Sequence, residues 1–134
     1  MTTAARMQTF IIVGLGGFLG ANARYLLSGW AGKRFATAAG LQIPYGTLFV
    51  NVVGSVLLAL FLTWAAERIA LSDQTRLLIG TGFFGAFTTF STYAVESMFL
   101  IERGDVASGI ANILVNNGLC LFGVLIGIFI GSRM

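Results

Sequence analysis

A chain of 134 residues that is 57% hydrophobic and 10% charged is not an ordinary soluble domain, in which about a quarter of residues carry charge. It has no histidine and one cysteine, Cys120, which excludes a disulfide framework, a Cys/His zinc site and any Ser-His or Cys-His nucleophile pair, so an enzyme is not expected. The net charge of +3 comes from basic residues scattered at segment ends rather than gathered in a patch, which suits anionic lipid headgroups and not nucleic acid.

Four apolar segments, about residues 9–30, 45–66, 76–101 and 106–130, are each near or above the roughly 20 residues a helix needs to cross hydrocarbon. They predict an all-α membrane protein of four transmembrane helices in a single domain, residues 1–134. Residues 1–8 are polar, and with the apolar run that follows and Ala21-Asn22-Ala23 they imitate a signal peptide. The full-length span and its glycines instead predict a retained first helix. Within it Gly16, Gly20, Arg24 and Ser28 recur every four residues and share a face, so helices can approach closely there and Arg24 must face protein or water. Arg24 is read as a vestibule or structural charge, with a snorkelling arginine as the alternative. GLGGFLG resembles a dinucleotide fingerprint only superficially, because its third glycine is misplaced and no strand precedes it.

A loop is expected over 31–44, carrying Lys33, Arg34 and Pro44. The second span opens at Tyr45 and places Thr47, Asn51 and Ser55 on one stripe. A carboxamide in lipid is costly, so Asn51 should face a pore or serve as glue between helices. Residues 67–75 form a charged turn in which Ser72 and Asp73 are the capping residues.

The third span carries the stretch around which the chain is organised, GTGFFGAFTTFSTYAVES over residues 80–97. It reads as a helix interrupted between Phe84 and Val95, where Gly82 and Gly85 loosen the backbone and Thr88, Thr89, Ser91 and Thr92 bring four hydroxyls to membrane depth. Irregular backbone at that depth survives where it is buried or lines a wet cavity, and its carbonyls commonly coordinate cations. The alternative is a continuous helix whose hydroxyls bond back to their own carbonyls. Phe83, Phe84, Phe87, Phe90 and Tyr93 crowd the stretch, and Glu96 follows near the end of the span, within reach of a water-filled mouth. After a tight turn at Gly104, the fourth span shows Asn112, Asn116 and Cys120 on a polar face and Gly123, Gly127 and Gly131 as a doubled G-x-x-x-G. Asn117 lies off that face and is expected to bond a neighbouring helix.

With a cytoplasmic N-terminus, Arg6, Arg68, Arg76 and Arg133 lie inside, against Lys33, Arg34 and Arg103 outside. Four against three is almost no bias, and the Lys/Arg difference sets orientation, so copies inserted both ways up are expected. The polar groups along the spans are mostly hydrogen-bond donors, which favours a small anion over a cation as cargo.

GGFLGANARY in the first helix, GTLFVNVVGS in the second and GAFTTFSTYAVE in the third resemble the Fluc (CrcB) fluoride channels over nearly the whole chain. The resemblance implies a fluoride-selective channel in the bacterial inner membrane, an antiparallel dual-topology homodimer with two pores and a central sodium ion. By matching position it implies sodium held by the main-chain carbonyls of Gly85 and Thr88. It also implies a fluoride path through Asn51, Phe90 and Tyr93, joined by Thr89, Ser91, Asn112, Asn116 and Cys120, with Arg24 and Glu96 as vestibule or structural charges. Tyr93 stands where that family usually has phenylalanine, so its ring contact is expected to change or gain a hydroxyl partner. Cys120 is a weak donor and Val124 none, where the family's fourth helix carries hydroxyls, and Ala86 replaces a glycine. A small multidrug-type exporter needs a carboxylate in the first helix, and none exists here. A non-transporting membrane subunit would leave the interrupted helix without a purpose.

Overall fold

The computed structural model describes residues 2–36, 40–67 and 71–134, and among these every regular element is helical. Arg68, counted above in the charge balance, lies outside the described residues, as do 37–39 of the expected first loop. Helix α1 spans Thr3–Phe35, α2 Tyr45–Glu67 and α6 Val106–Gly131, and these are the three helices long and apolar enough to cross a membrane. The remaining apolar segment is assembled from pieces: α3 (Asp73–Arg76), a π-helical stretch (Leu77–Phe84), α4 (Gly85–Phe87) and α5 (Phe90–Glu102).

Two expectations are corrected at the ends of α1. The polar start is helical from Thr3, whose turn is capped by Thr2 accepting from the Ala5 amide at 3.3 Å, and residues 31–35 continue the helix instead of opening a loop. At 33 residues α1 is about 50 Å long, which exceeds the roughly 30 Å of a bilayer's hydrocarbon core. Lys33 and Arg34 fall in its last turn, where cations complement the helix dipole. As expected, Ser72 caps the third crossing, accepting from Thr75 at 3.2 Å, and Gly104 turns the chain with φ of 88°.

The expected interruption is present but narrower. Helix resumes at Phe90 rather than Val95, and only Thr88 (φ −89°, ψ 160°) and Thr89 (φ −151°, ψ 115°) are extended. Thr89 restarts the helix itself, its hydroxyl accepting from the Thr92 amide at 3.2 Å. The eight residues Leu77–Phe84, separated from the break by the short α4, are not the apolar α-helix expected but a π-helix, in which the Gly85 amide reaches back five residues to Gly80. Such stretches mark functional sites in many helices.

Small residues set how the crossings pack. Along α1, a Cβ at Gly20 would lie 2.1 Å from the Phe83 carbonyl oxygen, so only glycine lets α1 lie against the π-helical stretch. Along α6, Gly123, Gly127 and Gly131 lie in turn against Val56, Ala59 and Thr63 of α2, the doubled G-x-x-x-G acting as the seam. The order of these contacts makes α2 and α6 parallel to each other, and α1 parallel to the broken crossing. Val50, Phe84 and Phe87 fill the middle, just under the break. Phe10, Phe18, Leu121 and Leu125 are exposed on the outside of the protomer.

Candidate functional site

A peptide removed from a helix at membrane depth leaves its N–H and C=O without partners, and each costs several kcal/mol in hydrocarbon. At Thr89 one side chain supplies both. Asn51 Oδ1 accepts from the Thr89 amide at 2.8 Å, and Asn51 Nδ2 donates to the Thr89 carbonyl at 3.0 Å. This pairing fixes which end of the carboxamide is nitrogen, and the second Nδ2 hydrogen goes to Asn116 Oδ1 at 3.3 Å. Asn51 and Asn116 are 7% and 4% exposed, so the three-way junction between α2, the break and α6 is a buried one. Turning Asn116 Oδ1 toward Asn51 leaves Asn116 Nδ2 buried and without a partner.

Beside this junction lies a cavity of about 230 Å³ lined by carboxamides, hydroxyls, a thiol and two aromatic rings, with no charged side chain. Asn51, Thr88, Thr89, Phe90, Tyr93, Asn116 and Cys120 all border it. The Phe90 and Tyr93 rings meet edge to face at 5.3 Å, yet Tyr93 is 7% exposed and Phe90 76%, so Phe90 projects from the protomer. The other aromatics divide from these two: Phe84 and Phe87 are buried packing, and Phe83 stacks on Phe87.

A second cavity of about 250 Å³ is bordered by Arg24, Ser28, Thr47, Thr89 and Thr92. Thr89 lines both cavities, so the break residue stands between an arginine-lined recess and the donor-rich one. A third, of about 330 Å³, opens between α1 and α2 and includes Thr47 and Glu96. There Thr47 donates to Glu96 Oε1 at 2.9 Å, and Oε2 is buried without a partner.

Besides Arg24 and Glu96, three sequence-derived candidates stand apart from the first cavity. Asn112 is held in the seam between α5 and α6, donating to Ser97 Oγ at 2.9 Å, while Ser97 donates to the Tyr93 carbonyl at 2.8 Å. Ser91 is exposed, 3.4 Å from the Thr89 hydroxyl. Gly85 is exposed on the outer side of the break. Sequence reasoning did not pair Thr47 with Glu96, which are 49 positions apart and share no periodic signal. Asn117 does bond a neighbouring helix as expected, donating to the Tyr93 hydroxyl at 2.7 Å.

The two carbonyls expected to hold sodium are released by the break. The Thr89 amide, which in a continuous helix would bond the Gly85 carbonyl, is taken by Asn51, and the Thr92 amide, which would bond Thr88, is taken by the Thr89 hydroxyl. Free oxygens of this kind fit a hard cation. Among the described residues no group of three His, Cys, Asp or Glu side chains could hold one instead.

The fold and the cavity together define a small multi-pass helical membrane protein built around one splinted break in a membrane crossing. The model of the CrcB-like protein family, described as camphor resistance (CrcB), matches residues 11–128. Curated relatives agree: the chain is 44% identical over 119 residues to the fluoride-specific ion channel FluC of Koribacter versatilis, covering 89% of this chain and 91% of the relative. It is 45% identical over 123 residues to the protein of the same name from Legionella pneumophila, covering 92% and 86%. Against that of Clostridium perfringens it is 41% identical over 117 residues, covering 87% and 88%. The chain belongs to the CrcB family of fluoride-channel proteins, which is not a family of enzymes.

Proposed function

We propose that this protein is a passive fluoride-selective channel that lets fluoride leave the cytoplasm and so confers fluoride resistance. The observation that carries the reading is the uncharged polar cavity at the Thr88–Thr89 break, in which the Asn116 amide nitrogen has no partner, in a chain that is 44% identical to a fluoride-specific channel. An amide N–H without a protein partner, as at Asn116 Nδ2, replaces water around a small anion, and ring edges carry the positive end of the aromatic quadrupole. A carboxylate in this cavity would repel an anion, and it has none. Arg24, across Thr89, draws anions toward the break. Hydrogen fluoride crosses a bilayer and dissociates inside, so a cell needs an exit for the ion but no energy source to drive it.

The working unit in this reading is an antiparallel dual-topology homodimer in the bacterial inner membrane, with two pores. The near-balanced Lys/Arg count supports it, and so does Phe90, whose ring is 76% exposed on the single protomer and suited to a partner's pore. One protomer offers two released carbonyls, Gly85 and Thr88, too few for a hard cation, and a second copy brings the set to four. Sodium bound there would neutralise the facing carbonyl dipoles and lock the two breaks together.

The deciding experiment is efflux from liposomes containing the purified protein, loaded in turn with fluoride and chloride, with potassium carried by an ionophore. Rapid fluoride release with little chloride release is expected. No fluoride release from a folded dimer would overturn the reading.

A further inference from the structure

Tyr93 and Asn117 line the same cavity from different helices, and their contact fixes where hydrogens lie. Asn117 Nδ2 donates to the Ile113 carbonyl at 2.7 Å. A main-chain carbonyl only accepts, so the nitrogen and not the oxygen of the carboxamide is on that side. The same nitrogen is 2.7 Å from Tyr93 Oη. The phenol oxygen must therefore accept from Asn117, and the phenol hydrogen is left over. No acceptor among the described residues takes it, although Tyr93 is 7% exposed and borders a cavity.

We propose that Asn117 is a positioning residue that turns the Tyr93 hydroxyl into a fixed donor for the anion in this cavity, making the pair a determinant of fluoride over chloride. The inference rests on the fluoride-channel reading above and adds to it. An O–H donor to a charged acceptor makes a short, strong bond. Fluoride, the most compact halide and the best acceptor among them, gains most from a donor that cannot retreat. Chloride, larger and more diffusely charged, gains less from the same geometry. Asn117 is well placed to hold the donor still, because both its amide hydrogens are committed and it stands on the long α6 helix. The Phe90 ring, 5.3 Å from that of Tyr93, closes the same side of the cavity. A phenylalanine at position 93 would present its ring edge alone, so the hydroxyl donor belongs to this chain's own pair of residues.

The test is fluoride and chloride efflux from liposomes carrying wild type, Y93F, N117L and the double variant Y93F/N117L. Asn117 is exposed and Y93F removes one oxygen, so all should fold, which a dimer peak on gel filtration checks. Each single variant is expected to lower the fluoride-to-chloride ratio by about tenfold or more, the scale of one hydrogen bond to a charged group. The double variant is expected to match Y93F, because Asn117 acts through the hydroxyl that Y93F has already removed. A wild-type ratio in Y93F would overturn the hydroxyl's role while leaving the channel reading intact. A further fall when N117L is added to Y93F would overturn the positioning role. Wild-type protein that releases no fluoride would remove the channel reading, and this inference with it.

Discussion

Both amide hydrogens of Asn51 are spent, one on the Thr89 carbonyl and the other on Asn116. Asn51→Asp keeps an acceptor for the Thr89 amide but sets carboxylate oxygens against two other acceptors, and it places a negative charge beside the cavity at the break. Fluoride efflux should fall to the leak of protein-free vesicles, and the unpaired buried acceptors should cost about 1–3 kcal/mol of stability in detergent melts. Unchanged flux would take Asn51 out of the path. Phe90 makes the opposite kind of contribution, since it is 76% exposed and holds little of the protomer together. Phe90→Ile keeps bulk and loses the ring edge, so flux should drop several-fold, on the scale of about 1 kcal/mol for an aromatic contact, with no change in melting. Normal conduction in that variant would make the ring edge irrelevant.

The third helical segment can break at Thr88–Thr89 because Asn51 of α2 takes both polar groups of the freed Thr89 peptide. The π-helical stretch rests on α1 where Gly20 faces the Phe83 carbonyl, and α5 begins on the Thr89 cap. Gly20→Leu should therefore push α1 off this stretch, costing about 1–3 kcal/mol or more by overpacking and disturbing the break along with it. Gly14, on the same helix, has nothing within 4 Å of a built Cβ, so Gly14→Leu should be neutral or slightly stabilising, leucine being the better helix former. Equal melting losses in the two variants, measured in the same detergent, would show that the close approach of α1 does not matter.

At the scale of the whole molecule, a chain with so little charge bias should insert in both orientations, and function should need both. Two lysines added beside Gly104 should fix one orientation and abolish fluoride resistance in cells, as two added beside Arg133 should fix the other. Each variant alone is expected to fail, and the two expressed together should restore resistance. A single biased variant that protects cells fully would end the antiparallel model. Crosslinks found only between parallel copies would do the same.

The four apolar helical segments, the polar stripes and the small-residue seams were legible because helical spacing is a local property that hydrophobicity writes directly into the chain. GAFTTFSTYAVE carried the family, and the glycines of α6 found their seam against α2 as their spacing implied. The sequence also located the break in the third crossing, though it spread over ten residues what tertiary contact confines to Thr88 and Thr89. Only the tertiary structure decided that limit, because Asn51, 38 positions away, accepts the Thr89 amide and replaces the missing helical neighbour. The same holds for Thr47 on Glu96, for Asn112 drawn away to Ser97, and for the phenol hydrogen that Asn117 leaves free. Hydrogen-bond partners on separate helices are chosen by packing angle and depth, and no spacing along a single chain encodes them.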